Sequence, residues 1–153
     1  MINIITNIMT GIESRLKVAL PNYTKLPYQI DISKNKFKPD MRGYSIAPSS
    51  AGETDSVIGA FTLDQSFEVT LSKQASMHGG KSQIDDSSIQ ENIISISDDI
   101  LTAYKDLSVN KTIVDSSILI INGLSIEKYD YSENDKVISI SFSFNIKYKI
   151  NQS

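Results

Sequence analysis

Four groups of side chains in this 153-residue sequence have the types or spacing to do chemistry. The first surrounds His78, the single histidine. A histidine works as a general base or metal ligand only beside an orienting group or a second ligand. The flanking Gly79, Gly80 and Lys81 supply neither carboxylate nor thiolate, so His78 is expected to be an exposed loop residue. The second group is Ala-Ser-Met-His-Gly-Gly-Lys-Ser, from Ala75 to Ser82. Its end matches the Gly-Lys-Ser of a phosphate-binding loop, but Ala75 stands where the first glycine belongs. Such a loop must also run straight into a helix whose N-terminus holds the phosphate. Here Gln83, Ile84, Asp85 and Asp86 intervene, and two carboxylates repel a nucleotide. The stretch reads as a flexible loop tip.

The third group is two carboxylate pairs, Asp85 with Asp86 and Asp98 with Asp99. Glycoside hydrolysis needs two carboxylates facing each other across about 5–10 Å. Neighbours on a helix point in different directions, so Asp98 and Asp99 are expected to face solvent, and Asp85 and Asp86 to sit at a helix start, where negative charge is favoured. The fourth group is Lys147 and Lys149 on one side of the last strand, after Lys136. They suit protection against stray sheet pairing, or a basic strip meeting an acidic neighbour or DNA. Tyr28, Tyr44, Tyr129 and Tyr131 lack the interleaved basic stripe of a nucleic-acid stacking platform. No Gly-X-Ser-X-Gly nucleophile elbow occurs. These residues lead us to expect no catalytic residue, no cofactor and no metal site, and hence no enzyme.

Composition narrows the class further. The chain is 40% hydrophobic with a formal charge of −3, enough for one core and without a basic excess to drive nonspecific nucleic-acid binding. Its length suggests a single domain over residues 1–153. Cysteine is absent, which excludes disulfides and thiolate metal sites. Met1–Leu20 lacks a basic leader and is broken by polar residues, so it is not expected to be a signal peptide. No segment has the unbroken apolar length of a membrane span. The expectation is a soluble protein that stays where it is made.

The elements follow from periodicity. Ile5, Ile8, Ile12, Leu16 and Ala19 step as one helix face ending before Pro21. Tyr28, Ile30 and Ile32 suggest a short strand, 34–40 a loop, and 43–47 another short strand. Pro-Ser-Ser-Ala-Gly-Glu-Thr (48–54) reads as a turn. Phe61, Leu63, Gln65, Phe67, Val69 and Leu71 share the buried face of a clear strand. A long polar loop at 74–86 follows; such loops are usually functional or mobile. Ser87 with Gln90 fits a capping box for a helix with the stripe Ile89, Ile93, Ile96, Ile100, Ala103 or Tyr104, and Leu107. Ile118, Ile120, Leu124 and Ile126 share a strand face broken by Asn122, and Gly123 marks a bulge. After a turn at 132–136, Ile138 to Ile150 alternate with polar residues without an error. The last two strands form a long antiparallel hairpin. The order predicts an α+β fold: an antiparallel sheet, two main helices packed on one face, and a long C-terminal β-hairpin.

The final strand, Val137–Ile150, has a length of its own to explain. At roughly 3.3 Å per residue it spans about 43 Å, against about 30 Å for a domain of this size. It is expected either to bend sharply or to find cover for its end outside its own domain, at the next subunit.

One resemblance covers nearly the whole chain. A leading amphipathic helix precedes a Gly-Tyr strand and Pro-Ser turn (Arg42–Ser50). A Thr-Leu-Asp-Gln-Ser-Phe-Glu-Val-Thr-Leu strand (Thr62–Leu71) and a long loop come next. A second helix ends in Ala-Tyr-Lys-Asp-Leu (Ala103–Leu107), and a terminal hairpin closes the chain. This arrangement resembles the small tail-terminator and tail-completion (neck) proteins of tailed bacteriophages. The resemblance implies a structural virion subunit that forms a ring, usually hexameric, at the head-proximal end of the tail. It implies contacts with the tail tube protein and with neck or connector proteins. DNA would pass through the lumen without sequence-specific binding, and the protein would be found in the virion and, during assembly, in the host cytoplasm. By position, Lys73, His78, Gly79, Gly80 and Lys81 would contact the tube or line the lumen. Tyr129, Tyr131, Lys136 and Ile138 of the hairpin would contribute to contacts between subunits. Two alternatives stand beside this reading: a head-completion or other neck subunit, and a small-molecule-binding α+β module using Gln65 and Asn122 as interior polar groups.

Overall fold

The strand that seemed too long lies at the centre of the sheet. In a computed structural model, which describes residues 4–25, 42–57, 60–74, 86–127, 130–132 and 137–151, the elements are α1 (Ile4–Ala19), β1 (Tyr23–Lys25), β2 (Arg42–Val57), β3 (Ala60–Gln74), α2 (Asp86–Val109), α3 (Lys111–Val114), β4 (Ile118–Ile126), β5 (Asp130–Ser132) and β6 (Val137–Asn151). Strand order is β1-β2-β3-β6-β4, with β5 also paired to β6. β3 matches β6 residue for residue, from Ala60 opposite Asn151 to Gln74 opposite Val137. β4 and β5 take the other edge of β6. All these pairings are antiparallel; β1 alone pairs parallel, with β2.

The inner face of β6 is buried without a break from Ile138 to Tyr148, and Ile150 is half-buried. This corrects the expectation drawn from strand length. The strand's partner β3 is equally long, and the chain's own helices cover the shared inner face. Ile138 is completely buried within one chain, so it has no surface left for a neighbour. Phe67, Phe142 and Phe144 stack at 6.0–6.2 Å between ring centroids, and Tyr104 of α2 meets Phe144 edge-on at 6.3 Å. Aromatic pairs prefer these offset and edge geometries to a face-to-face sandwich.

Both expected helices form and turn their stripes to the core, except that Ile5, expected on the α1 stripe, is exposed near the helix start. α1 buries Ile8, Ile12 and Leu16; α2 buries Ile96, Ile100, Ala103 and Leu107. Because α2 already begins at Asp86, Ser87 falls inside its first turn and not at its cap. α1 also approaches α3 so closely at Gly11 that a Cβ there would overlap the Val114 carbonyl. Only glycine fits this crossing.

β2 corrects another expectation. The Pro-Ser-Ser-Ala-Gly segment is not a turn but the middle of a 16-residue strand. Two register irregularities, between Pro48 and Ala51 and between Glu53 and Asp55, let β2 keep pace with β3. Proline is tolerated in a strand at an edge or bulge, where its missing N–H breaks no ladder bond. The strand expected at 28–32 and the loop at 34–40 lie outside the described residues. The bulge expected in β4 is present: its register slips between Asn122 and Ser125, and Gly123 has a φ of 73°. The expected shared face is not: a further slip between Ile118 and Ile120 buries Ile121 with Ile118 and leaves Ile120 and Ile126 exposed.

Candidate functional site

The residues named from sequence do not come together. His78, Gly79, Gly80, Lys81, Tyr129 and Lys136 lie outside the described residues. Lys73 sits near the end of β3, opposite Arg42 on one side and Ile138 on the other. Tyr131 pairs with Ile138 through β5. The interior polar candidates are also accounted for. The Gln65 amide donates to the Ser66 carbonyl at 3.0 Å, and Asn122 is exposed on β4.

Side-chain chemistry concentrates instead where α2 meets the β1–β2 edge. Asp99 is half-buried, not solvent-facing as expected, while its neighbour Asp98 is exposed. The Tyr23 hydroxyl donates to Asp99 Oδ2 at 2.7 Å, and Arg42 Nη1 reaches the same oxygen at 3.3 Å. The Arg42 guanidinium also lies 5.6 Å from the Tyr23 ring centroid, within the range of a cation–π contact. One helical repeat further on, Arg15 of α1 grips Asp106 with two bonds of 2.8 and 2.7 Å. Lys25 of β1 pairs with Glu13 of α1 at 2.8 Å.

Each of these groups is engaged by a partner, and that determines what the cluster can do. Burial pushes the Tyr23 phenol well above its ordinary range, and the Asp99 carboxylate adds to the shift, opposed by Arg42. Tyr23 therefore stays protonated at neutral pH and acts as a hydrogen-bond donor, not as a nucleophile or base. Asp99 already accepts from two donors. The arrangement ties α1, β1 and β2 to α2; it holds no reacting group open to a substrate. Among the described residues, no group of three or more His, Cys, Asp or Glu could hold a metal ion.

Sequence reasoning missed this brace, although a signal was present. Asn92, Asp99 and Asp106 recur at seven-residue spacing beside the apolar stripe of α2, which keeps them on one flank of the helix. Adjacent pairs drew attention to Asp98 with Asp99, while the informative spacing was Asp99 with Asp106.

The second notable surface is the outer face of β3 and β6. Cross-strand hydroxyls pair there: Ser72 with Ser139 at 2.9 Å, and Thr70 with Ser141 at 2.8 Å; the Ser66 hydroxyl donates to the Asn145 amide oxygen at 2.6 Å. The buried residues of the helices join the core with the inner-face residues, so among the described residues no helix lies on this face. Asp64 and Glu68 on β3 stand across from Lys147 and Ser143 on β6. The face is rich in hydroxyls and has no cationic excess.

The third surface is the edge formed by β4, where Leu119, Ile120 and Ile126 are exposed. The sequence matches no protein-family model, and no match to a curated protein was found.

Proposed function

We propose that this chain is a structural assembly subunit of a tailed bacteriophage, a tail terminator that forms a ring, hexameric in the resemblance, between the tail tube and the neck or connector proteins. The observation that carries the reading is the sheet. One face is buried under helices, the other carries no helix among the described residues and is lined by hydroxyls that bond one another, and the strands β2 and β4 are irregular in register. The Gln65 amide is bonded to the Ser66 carbonyl and Asn122 is exposed, so the two interior polar candidates do not converge as those of a ligand site do. A surface built to join copies and to let DNA pass needs shape and open edges more than reactive groups. Asp64 and Glu68 offset Lys147 and Lys149 on the bare face, and each unopposed lysine would add salt-sensitive affinity for phosphate. The subunit would act in the virion, after assembly in the host cytoplasm.

The test is electron microscopy of the purified chain, alone and mixed with tail tubes of the same phage. The expected result is a ring, or a ring capping one end of each tube and halting its growth. Rings on a portal or adaptor complex, with none on tubes, would assign the chain to head completion instead. A monomer that binds neither would end the assembly reading.

A further inference from the structure

The outward side of α2 is apolar where a surface helix is ordinarily polar. At 3.6 residues per turn, Ile96, Ile100, Ala103 and Leu107 fall together on the side that joins the core. Ile94, Leu101 and Val109 fall on the opposite side and are exposed at 61%, 52% and 73%. Asp98, Thr102 and Lys105 lie among them, all exposed. The ion pairs of α2 are on its flank, where Asp99 and Asp106 hold Arg42 and Arg15. Among the described residues neither Asp98 nor Lys105 has an ion-pair partner.

Along the helix this stripe runs Ile94, Asp98, Leu101, Thr102, Lys105, Val109, and it is its own complement. Turn a second copy end for end about the midpoint between Leu101 and Thr102, and lay the two helices antiparallel. Ile94 of one copy then comes level with Val109 of the other, Asp98 with Lys105, and Leu101 with Thr102. The two-fold axis repeats each pair. Both ends of the contact are apolar, the two leucines flank its centre, and each free carboxylate meets a free ammonium. Laid parallel in register, the same faces would set Asp98 on Asp98 and Lys105 on Lys105, and like charges brought together oppose binding. A stripe shaped for an unrelated partner has no reason to match itself end for end.

We propose that the outer face of α2 is the docking surface for a second copy of this chain, seated antiparallel through the same face of that copy. The contact is isologous: one patch used twice about a two-fold axis. From Ile94 to Val109 it runs along about 23 Å of helix. One pair of helices over that length buries less than the roughly 1,200 Å² of a stable interface, so the pairing is weak, reversible and dependent on concentration. The inference goes beyond the ring reading, because a two-fold contact does not close a ring. It pairs single subunits or links two rings.

The chain has no cysteine, so introduced ones report cleanly. Leu101→Cys, Ile94→Cys and Val109→Cys are made singly in the full chain and treated with a short bis-maleimide at high protein concentration. Covalent dimers are read on a denaturing gel, where other assemblies of the chain fall apart. The expected result is dimers from Leu101→Cys alone and from Ile94→Cys mixed with Val109→Cys. Ile94→Cys alone should give few, because its two thiols would lie about 23 Å apart along the pair. In the Leu101→Cys background, Asp98→Lys and Lys105→Asp should each cut the dimer yield about tenfold. Mixing those two proteins should restore it, because each chain's like charges then meet their opposites. The circular dichroism spectrum should stay unchanged in every variant. Dimers from Ile94→Cys alone as abundant as those from the mixture would make the pairing parallel and overturn the proposal. A Leu101→Cys yield indifferent to both charge reversals would mark chance collision and overturn it as well. No dimer from Leu101→Cys would overturn it outright, and loss of tube binding in Leu101→Lys would then give the face to the tube protein.

Discussion

The inner and outer faces of the β3–β6 pair come from the same two strands, one residue out of step, and are held by different forces. Inside, Phe67, Val69, Leu71, Ile140, Phe142 and Phe144 are almost fully removed from water. Each buried side chain of this size contributes about 1.5–3 kcal/mol through lost contact with water. Outside, Thr70 and Ser141 are half-buried and exchange a hydrogen bond that also has water as an alternative partner, with a net worth of about 1 kcal/mol or less, while Ser72, paired with Ser139, is buried at the end of the face. The difference teaches where stability and where surface identity reside: the inner face fixes the fold, and the outer face is free to be chosen for what it meets.

Phe144→Ala should sharpen that contrast most. Phe144 stacks on Phe67 and Phe142 and receives Tyr104 from α2. Removing its ring leaves a cavity at the centre of the helix–sheet contact, so denaturant unfolding should show a loss of about 3–5 kcal/mol. A loss under about 1 kcal/mol would mean that the inner face is not the cooperative core.

Gly11→Ala tests how the helix layer closes over that face. The added methyl meets the backbone of Val114, which cannot rotate away as a side chain could. The expected cost is about 1–3 kcal/mol, read as a lower melting temperature. Gly11→Ser should lose at least as much, since its side chain is larger.

Tyr23→Phe tests the brace that pins the helix layer to the β1–β2 edge. It removes the donor to Asp99 while Arg42 stays in place, so the loss should be about 1–2 kcal/mol at neutral pH. The pH dependence gives a second readout. Folding raises the Tyr23 phenol above its ordinary value, so folding favours the neutral form. That stabilisation is complete below about pH 10, the unfolded value, and is lost as pH rises above it towards the folded value. Wild-type stability should therefore fall more steeply above that pH than that of Tyr23→Phe. Parallel curves for the two proteins would show that Tyr23 ionises equally easily folded and unfolded.

The same contrast explains how much was legible in the sequence. β3, β6 and the stripes of α1 and α2 were legible because water writes them: one face buried and one wet gives an error-free period. The β4 bulge was legible because Gly123 is needed where φ is positive. β2 was misread because Pro48, Ser49, Ser50, Ala51 and Gly52 carry local turn signals that pairing with β3 overrides. The central place of β6 was not legible, since alternation along one strand says nothing about which partners flank it. The Tyr23–Asp99–Arg42 brace joins residues separated by 76 and 57 positions, and no local pattern encodes such distances. The assembly residues at 78–81 and at 129 and 136 lie outside the described residues, so their expected roles stand as part of the proposal.

The smallest expected effect lies on the outer face and could break the contrast. Thr70→Val and Ser141→Ala each remove one side of a single hydroxyl pair. Both positions are half-buried, so the remaining hydroxyl can turn to water and neither change should cost more than about 1 kcal/mol. Valine also suits a strand at least as well as threonine, so Thr70→Val should fall within roughly 0.5 kcal/mol of wild type. The double variant should equal the sum of the singles within roughly 0.5 kcal/mol, as sites without strong coupling do. A coupling above about 1.5 kcal/mol would show that the hydroxyl ladder is a cooperative network of the kind found in buried polar cores. The outer face would then belong to the fold as much as the inner one does, and its serines and threonines would be there to hold β3 to β6. If the variants are neutral in stability yet ring or tube binding falls, the hydroxyls act at the surface, which is where the contrast between the two faces puts them.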